Sequence, residues 1–111
     1  MKRDAVISRC KKYRYLLSRE WNKAREKVLF IMLNPSKADD KIDDPTVKRC
    51  ICFAKNWGFG GLMIGNLFAY RTTYPKELFK TKNPIGKDNL KFLKRMIKSS
   101  NLTICAWGNK Q

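Results

Sequence analysis

Two strand-length apolar runs set the frame within which this chain must fold. Val28-Leu29-Phe30-Ile31-Met32-Leu33 and Leu62-Met63-Ile64-Gly65-Asn66-Leu67-Phe68 lack the in-out alternation of a half-exposed strand, so each belongs in a sheet covered on both faces. The stretch between them reads as a helix. Asp44 is placed as its N-cap with Pro45 at the first helical position, and Val47, Cys50, Ile51 and Ala54, with Trp57 beside them, repeat at i, i+3, i+4 and i+7. Gly58 closes that helix, and the turn Gly58-Phe59-Gly60-Gly61 opens the second strand. Residues 28–68 are therefore expected to form a strand, helix, strand unit with a right-handed crossover.

The flanks extend this unit. Residues 5–21 show a period of two around the polar pair Lys11-Lys12, which predicts a β-hairpin carrying Tyr13, Tyr15 and Leu17 on one parity. Residues 69–85 read as loop, broken by Pro75 and Pro84. From Gly86 to Ser99, Leu90, Leu93, Met96 and Ile97 oppose Lys87, Lys91, Lys94, Arg95 and Lys98, the pattern of an amphipathic basic helix. Leu102 to Trp107 follows as a third buried strand. The expected class is α/β: a mostly parallel central sheet flanked by helices, with an N-terminal β-hairpin. At 111 residues and 43% apolar content, one domain spanning 1–111 can bury a core without staples.

Charge narrows the partners. Lys and Arg number 25 against 9 Asp and Glu, giving +16, and with no His that charge is insensitive to pH near neutrality. A polyanion is the natural ligand, because cations that meet phosphates gain from counterion release; a Lys-rich proteome is the bland alternative. Cys10, Cys50, Cys52 and Cys105 contain no CxxC pair; the last three fall in apolar stretches and read as buried small hydrophobes, which argues against a zinc site or a disulfide framework and for the cytoplasm. No membrane span, signal segment or cofactor is expected. The missing His also excludes Ser-His and Cys-His nucleophile systems.

In an open α/β sheet, ligands bind beyond the carboxyl ends of the strands. Three such ends are visible: Asn34-Pro35-Ser36, Asn66 with Tyr70-Arg71-Thr72-Thr73, and Trp107-Gly108-Asn109. They offer amides, hydroxyls and one Arg, a set suited to orienting water and holding phosphate. Asn34 and Asn66 are the candidate catalytic residues. Ser36, Tyr70, Arg71 and Thr72, with Lys87, Lys91, Lys94, Arg95 and Lys98 of the basic helix, are the candidate nucleic-acid contacts. Each has a structural alternative. Asn34-Pro35 also fits a strand-ending turn, Arg71 can bridge to Asp43 or Asp44, and Asp39, Asp40, Asp43 and Asp44 suit a solvated loop with one N-cap better than a Mg²⁺ site. Gly58-Phe59-Gly60-Gly61 lacks a following Lys-Ser or Lys-Thr and precedes a strand, so it is not a P-loop.

The strings Met32-Leu33-Asn34-Pro35-Ser36-Lys37-Ala38-Asp39, Asp44-Pro45-Thr46, Arg49-Cys50, Trp57-Gly58-Phe59-Gly60-Gly61, Asn66-Leu67-Phe68-Ala69-Tyr70-Arg71 and Ala106-Trp107-Gly108, in this order, resemble the domain of unknown function family DUF1643. Its members continue past the Trp-Gly strand to a further strand and a His-Pro loop, so a C-terminally short version is expected. The placement of Asn34-Pro35-Ser36 after a buried strand, followed by a helix and a strand ending in Asn66 with Arg71, also looks like the uracil-DNA glycosylase superfamily. That likeness implies that Asn34 orients an attacking water and that Asn66 or Phe68 contacts a flipped base. The functional expectation is a nucleic-acid-associated domain that binds DNA or RNA through a basic surface, with glycosylase-like hydrolysis at a base or nucleotide as its enzymatic form. The competing expectation is a small phage or mobile-element protein that binds and regulates another protein.

Overall fold

The computed structural model describes residues 1–106. Five strands and two helices appear in the order β1 (Lys2–Ile7), β2 (Arg14–Glu20), β3 (Lys27–Met32), α1 (Pro45–Asn56), β4 (Gly61–Asn66), α2 (Asn89–Ser99) and β5 (Leu102–Cys105), with a short 3-10 helix at Pro75–Phe79. No helix among the described residues is long and apolar enough to cross a membrane.

The β3-α1-β4 unit forms as its pattern requires. β3 and β4 pair in parallel from Lys27↔Gly61 to Met32↔Asn66. The Asp44 carboxylate accepts from Val47 N at 2.9 Å, Pro45 occupies the first turn, and Val47, Cys50, Ile51 and Ala54 are buried. Trp57 departs from the expected stripe: it lies outside the helix, half exposed and stacked on Phe53. Along β3, Val28 and Phe30 pack with α1 while Leu29 and Ile31 pack with Met96 of α2. One helix on each face is what makes the run continuously apolar.

The sheet is mixed, which corrects the expectation of a mostly parallel one. Its order is β1-β2-β4-β3-β5, with β3 parallel to β4 and β5, and β2 antiparallel to β1 and β4. The hairpin is not an appendage but continues the sheet, because Leu17 lies opposite Ile64 and joins the α1-side core. One step along β1, from Val6 to Ile7, spans two along β2, from Leu16 to Arg14. A bulge of this kind re-aims side chains. Arg14 thereby reaches the α1 side of the sheet, while Tyr15 stacks on Phe92 of α2 at 5.6 Å.

The second helix starts three residues later than expected and turns a different face inward. Asn89 and Met96 are buried and Phe92 and Leu93 pack on the α2-side core, whereas Leu90 and Ile97 stand 62% and 50% exposed. The third strand stops at Cys105; Trp107, the expected end of that strand, lies outside the described residues. As an edge strand it leaves Leu102 and Cys105 exposed, and Cys52 is exposed because it sits off the α1 stripe. Cys50 alone behaves as the expected buried hydrophobe, and burial pushes its thiol pKa up to about 11.

Candidate functional site

The carboxyl ends of β3 and β4 are held together past the last strand residues. Leu67 N donates to Met32 O, Phe68 N to Leu33 O, and Thr72 N to Pro35 O, each at 2.9 Å. Asn34 caps this junction: its Nδ2 donates to Thr72 O at 2.8 Å and Pro35 O at 3.1 Å. Both partners are carbonyls, so the amide nitrogen must face them. Asn34 Oδ1 is left without a hydrogen bond among the described residues. The structural turn reading of Asn34-Pro35 and a role for its oxygen are thus compatible.

Asn66 is 2% exposed. Its Oδ1 accepts from Arg14 Nη2 at 3.4 Å, and its carbonyl accepts from Asn89 Nδ2 at 2.8 Å. Arg14, 3% exposed, also donates from Nη1 to Ala38 O at 3.1 Å, while its Nε finds no acceptor among the described residues. Burial draws the Arg14 pKa down to about 10, with Asp44 opposing and Arg71 and Arg19 reinforcing the shift. Arg14, Asn34 and Asn66 line a chamber of about 40 Å³ with Met32, Asp44 and Val47, room for a water-sized group and no more. Asn34 and Asn66, paired as catalytic candidates from sequence, therefore share this chamber. Arg14 was missed because the bulge that aims it leaves no local trace in the pattern.

Arg71 makes no bridge to Asp43 or Asp44 among the described residues. Its guanidinium donates to the carbonyls of Ser36, Lys11 and Lys37, each at 3.3 Å, and its own N–H to Lys12 O at 2.8 Å. It ties the hairpin tip to the loop after β3. Asp43 instead pairs with Arg19, fully buried, at 2.7 Å and with Arg3 at 3.5 Å. Asp39 Oδ1 accepts from Lys41 N and Ile42 N, both at 2.8 Å, which lowers its pKa below the usual value, and Asp44 caps α1. Three of the four clustered acids are committed to the fold.

Ser36, Arg71 and Thr72 border one open cleft of about 490 Å³ with Lys11, Lys37, Thr73, Tyr74 and Glu77. Ser36 and Thr73 hydroxyls are 3.1 Å apart, and the Thr72 hydroxyl bonds the Glu77 carboxylate. Tyr70 N donates to Pro84 O at 3.1 Å, and its ring meets Tyr13 edge-on at 5.8 Å beside a second cleft. Lys87, Lys91, Lys94, Arg95 and Lys98 lie elsewhere, exposed on the outer side of α2 and the residues before it. Lys91 and Arg95 sit over the Phe92 ring at 5.4 and 5.3 Å. Of these five cations, Lys91 alone approaches a carboxylate among the described residues, Asp88 at 4.0 Å. The nucleic-acid candidates therefore divide between the clefts beyond the strand ends and the outer face of α2. Trp107-Gly108-Asn109, the third strand end, lies outside the described residues.

No curated protein and no solved structure matches the chain. A family model does, described as protein of unknown function (DUF1643) and aligned to residues 14–111. That span takes in the bulge, the strand ends and both helices, and on it the chain belongs to the DUF1643 family.

Proposed function

We propose that this chain is a nucleic-acid-associated domain that binds DNA or RNA through its basic surface. The observation that carries the reading is the distribution of charge. After Asp44 the sequence holds two acids, Glu77 and Asp88, against thirteen Lys and Arg, and the outer face of α2 presents Lys94, Arg95 and Lys98 with no carboxylate within 4.0 Å among the described residues. Cations that are not neutralised by their own protein attract phosphate, with a strong dependence on salt. Replacing Lys91, Lys94, Arg95 and Lys98 by Ala should weaken binding to every oligonucleotide alike. The slope of log affinity against log salt on duplex should fall by about 0.9 for each phosphate that is no longer neutralised. Unchanged affinity and slope in that variant would remove α2 from the interface.

Hydrolysis at a nucleobase is a second reading, favoured by Asn34. Its Nδ2 is pinned between two carbonyls and its Oδ1 is available at a strand end to accept from a water. Release of uracil from an oligonucleotide, abolished in Asn34→Ala at a temperature where circular dichroism shows that variant still folded, would support it. Absence of release by the parent protein would leave Asn34 as the cap of the β3–β4 junction.

A further inference from the structure

The segment after β4 carries an exposed aromatic that the fold holds outward. Ala69 N donates to Ile85 O and Tyr70 N to Pro84 O, each at 3.1 Å, closing the base of the segment. At its far end the 3-10 helix Pro75–Phe79 buries Leu78 to 7% exposure, and Thr72 Oγ1 accepts from Tyr74 N at 3.0 Å while bonding Glu77. With Leu78 turned in, Phe79 is 92% exposed and Tyr74 68%. Single exposed apolar residues are ordinary on a protein surface. Phe79 differs in its surroundings. Lys76, Lys80 and Lys82 on the same segment are exposed, and Glu77 lines both neighbouring clefts of about 490 Å³, so the turn bearing Phe79 divides them. Lys11 and Lys37 border one cleft, Lys80 and Lys82 the other. The one acid there, Glu77, is engaged by Thr72.

Phe79 stands clear of both clefts and Tyr74 lines the first; exposed aromatic rings among lysines are the equipment for holding unpaired bases, where the ring stacks on the base and the cations track the backbone. A duplex keeps its bases stacked on each other and accepts such a ring only at the cost of unstacking a step, whereas an unpaired base offers its face without that cost. We propose that Phe79, assisted by Tyr74, is a stacking site for unpaired nucleobases on this lysine-rimmed segment, which makes single-stranded nucleic acid the preferred ligand. The inference rests on the nucleic-acid reading above and adds the strand state and the residue that selects it.

The test is fluorescence anisotropy with a labelled oligothymidine and a blunt duplex of equal length, comparing the parent protein with Phe79→Ala and Phe79→Trp. Stacking predicts that Phe79→Ala loses about tenfold or more on the single strand while duplex affinity and salt slope stay as in the parent. Phe79→Trp should retain single-strand affinity and show extra tryptophan quenching on binding. Since Phe79 is exposed, both variants should melt as the parent does. If the parent binds and Phe79→Ala binds the single strand equally well, stacking is wrong and the nucleic-acid reading stands. If Phe79→Ala weakens single strand and duplex equally, or abolishes a dimer seen without nucleic acid, the strand-state assignment is overturned. A parent that binds neither oligonucleotide overturns both readings.

Discussion

Two buried arginines on β2 face the same side of the sheet and are satisfied in different ways. Arg19, fully buried, gives Nε to Asp43 and its remaining nitrogens to the carbonyls of Asp4, Ser18, Asp39 and Ile42 at 2.6 to 3.3 Å. It clamps the loop between β3 and α1 to the sheet. Arg14 has two acceptors and an orphan Nε, and no ion pair among the described residues. A buried ion pair broken at one partner leaves the other charge uncompensated, which costs about 3–5 kcal/mol. Asp43→Ala should therefore lower the free energy of unfolding in urea by about that amount, and a loss near zero would mean the carbonyls alone hold Arg19. Acid acts on the same loop through Asp39. Its folded pKa lies below the usual 3.8, so its stabilisation is complete above the unfolded value and is lost as pH falls through the folded one.

At the level of elements, the contact of β4 with α2 and the turn that precedes α2 depend on two glycines with unequal tolerance. A Cβ at Gly65 would come within 2.7 Å of Leu93 Cδ2 and Met96 Cε, both ends of flexible chains. At Gly86, where φ is +88°, a Cβ would lie 2.9 Å from the Tyr15 ring and 3.0 Å from that of Tyr13, and those rings are stacked at 6.2 Å. Backbone strain and immovable rings add there, so Gly86→Ala should cost about 1–3 kcal/mol, more than Gly65→Ala. Denaturation midpoints of the two variants check the order, and the reverse order would contradict this packing. The same elements show what local pattern carries. The β3-α1-β4 unit was legible because Asp44, Pro45 and the Val47–Ala54 stripe speak for themselves. The pairing of β2 with β4 was not, since alternation names a strand and not its neighbour. The inward face of α2 was misassigned because Leu90 and Ile97 are apolar, yet the stripe through Asn89, Phe92, Leu93 and Met96 includes a polar residue needed to bind Asn66 O and Leu67 O.

At the scale of the whole molecule, charge and fold divide the chain. Five of the nine acids lie between Glu26 and Asp44, and three of these are taken up in anchoring one loop, so that the rest of the chain holds 22 Lys and Arg against four acids. Sequence raised the expectation of a polyanionic partner from the total charge and placed the strand ends from topology, because both are sums or orderings. It could not foresee that Arg71 would be engaged by carbonyls, that Arg14 would enter the chamber, or that the basic residues would fall on two surfaces; each depends on where a loop returns to the sheet. If the uncompensated cations bind a nucleic-acid backbone, a salt titration of the parent protein on single-stranded and duplex oligonucleotides will show it. Log affinity should fall linearly with log salt, with a slope of about −0.7 or −0.9 for each phosphate neutralised on single strand or duplex and a total equivalent to several phosphates. Absence of binding at low salt, or affinity indifferent to salt, would contradict it.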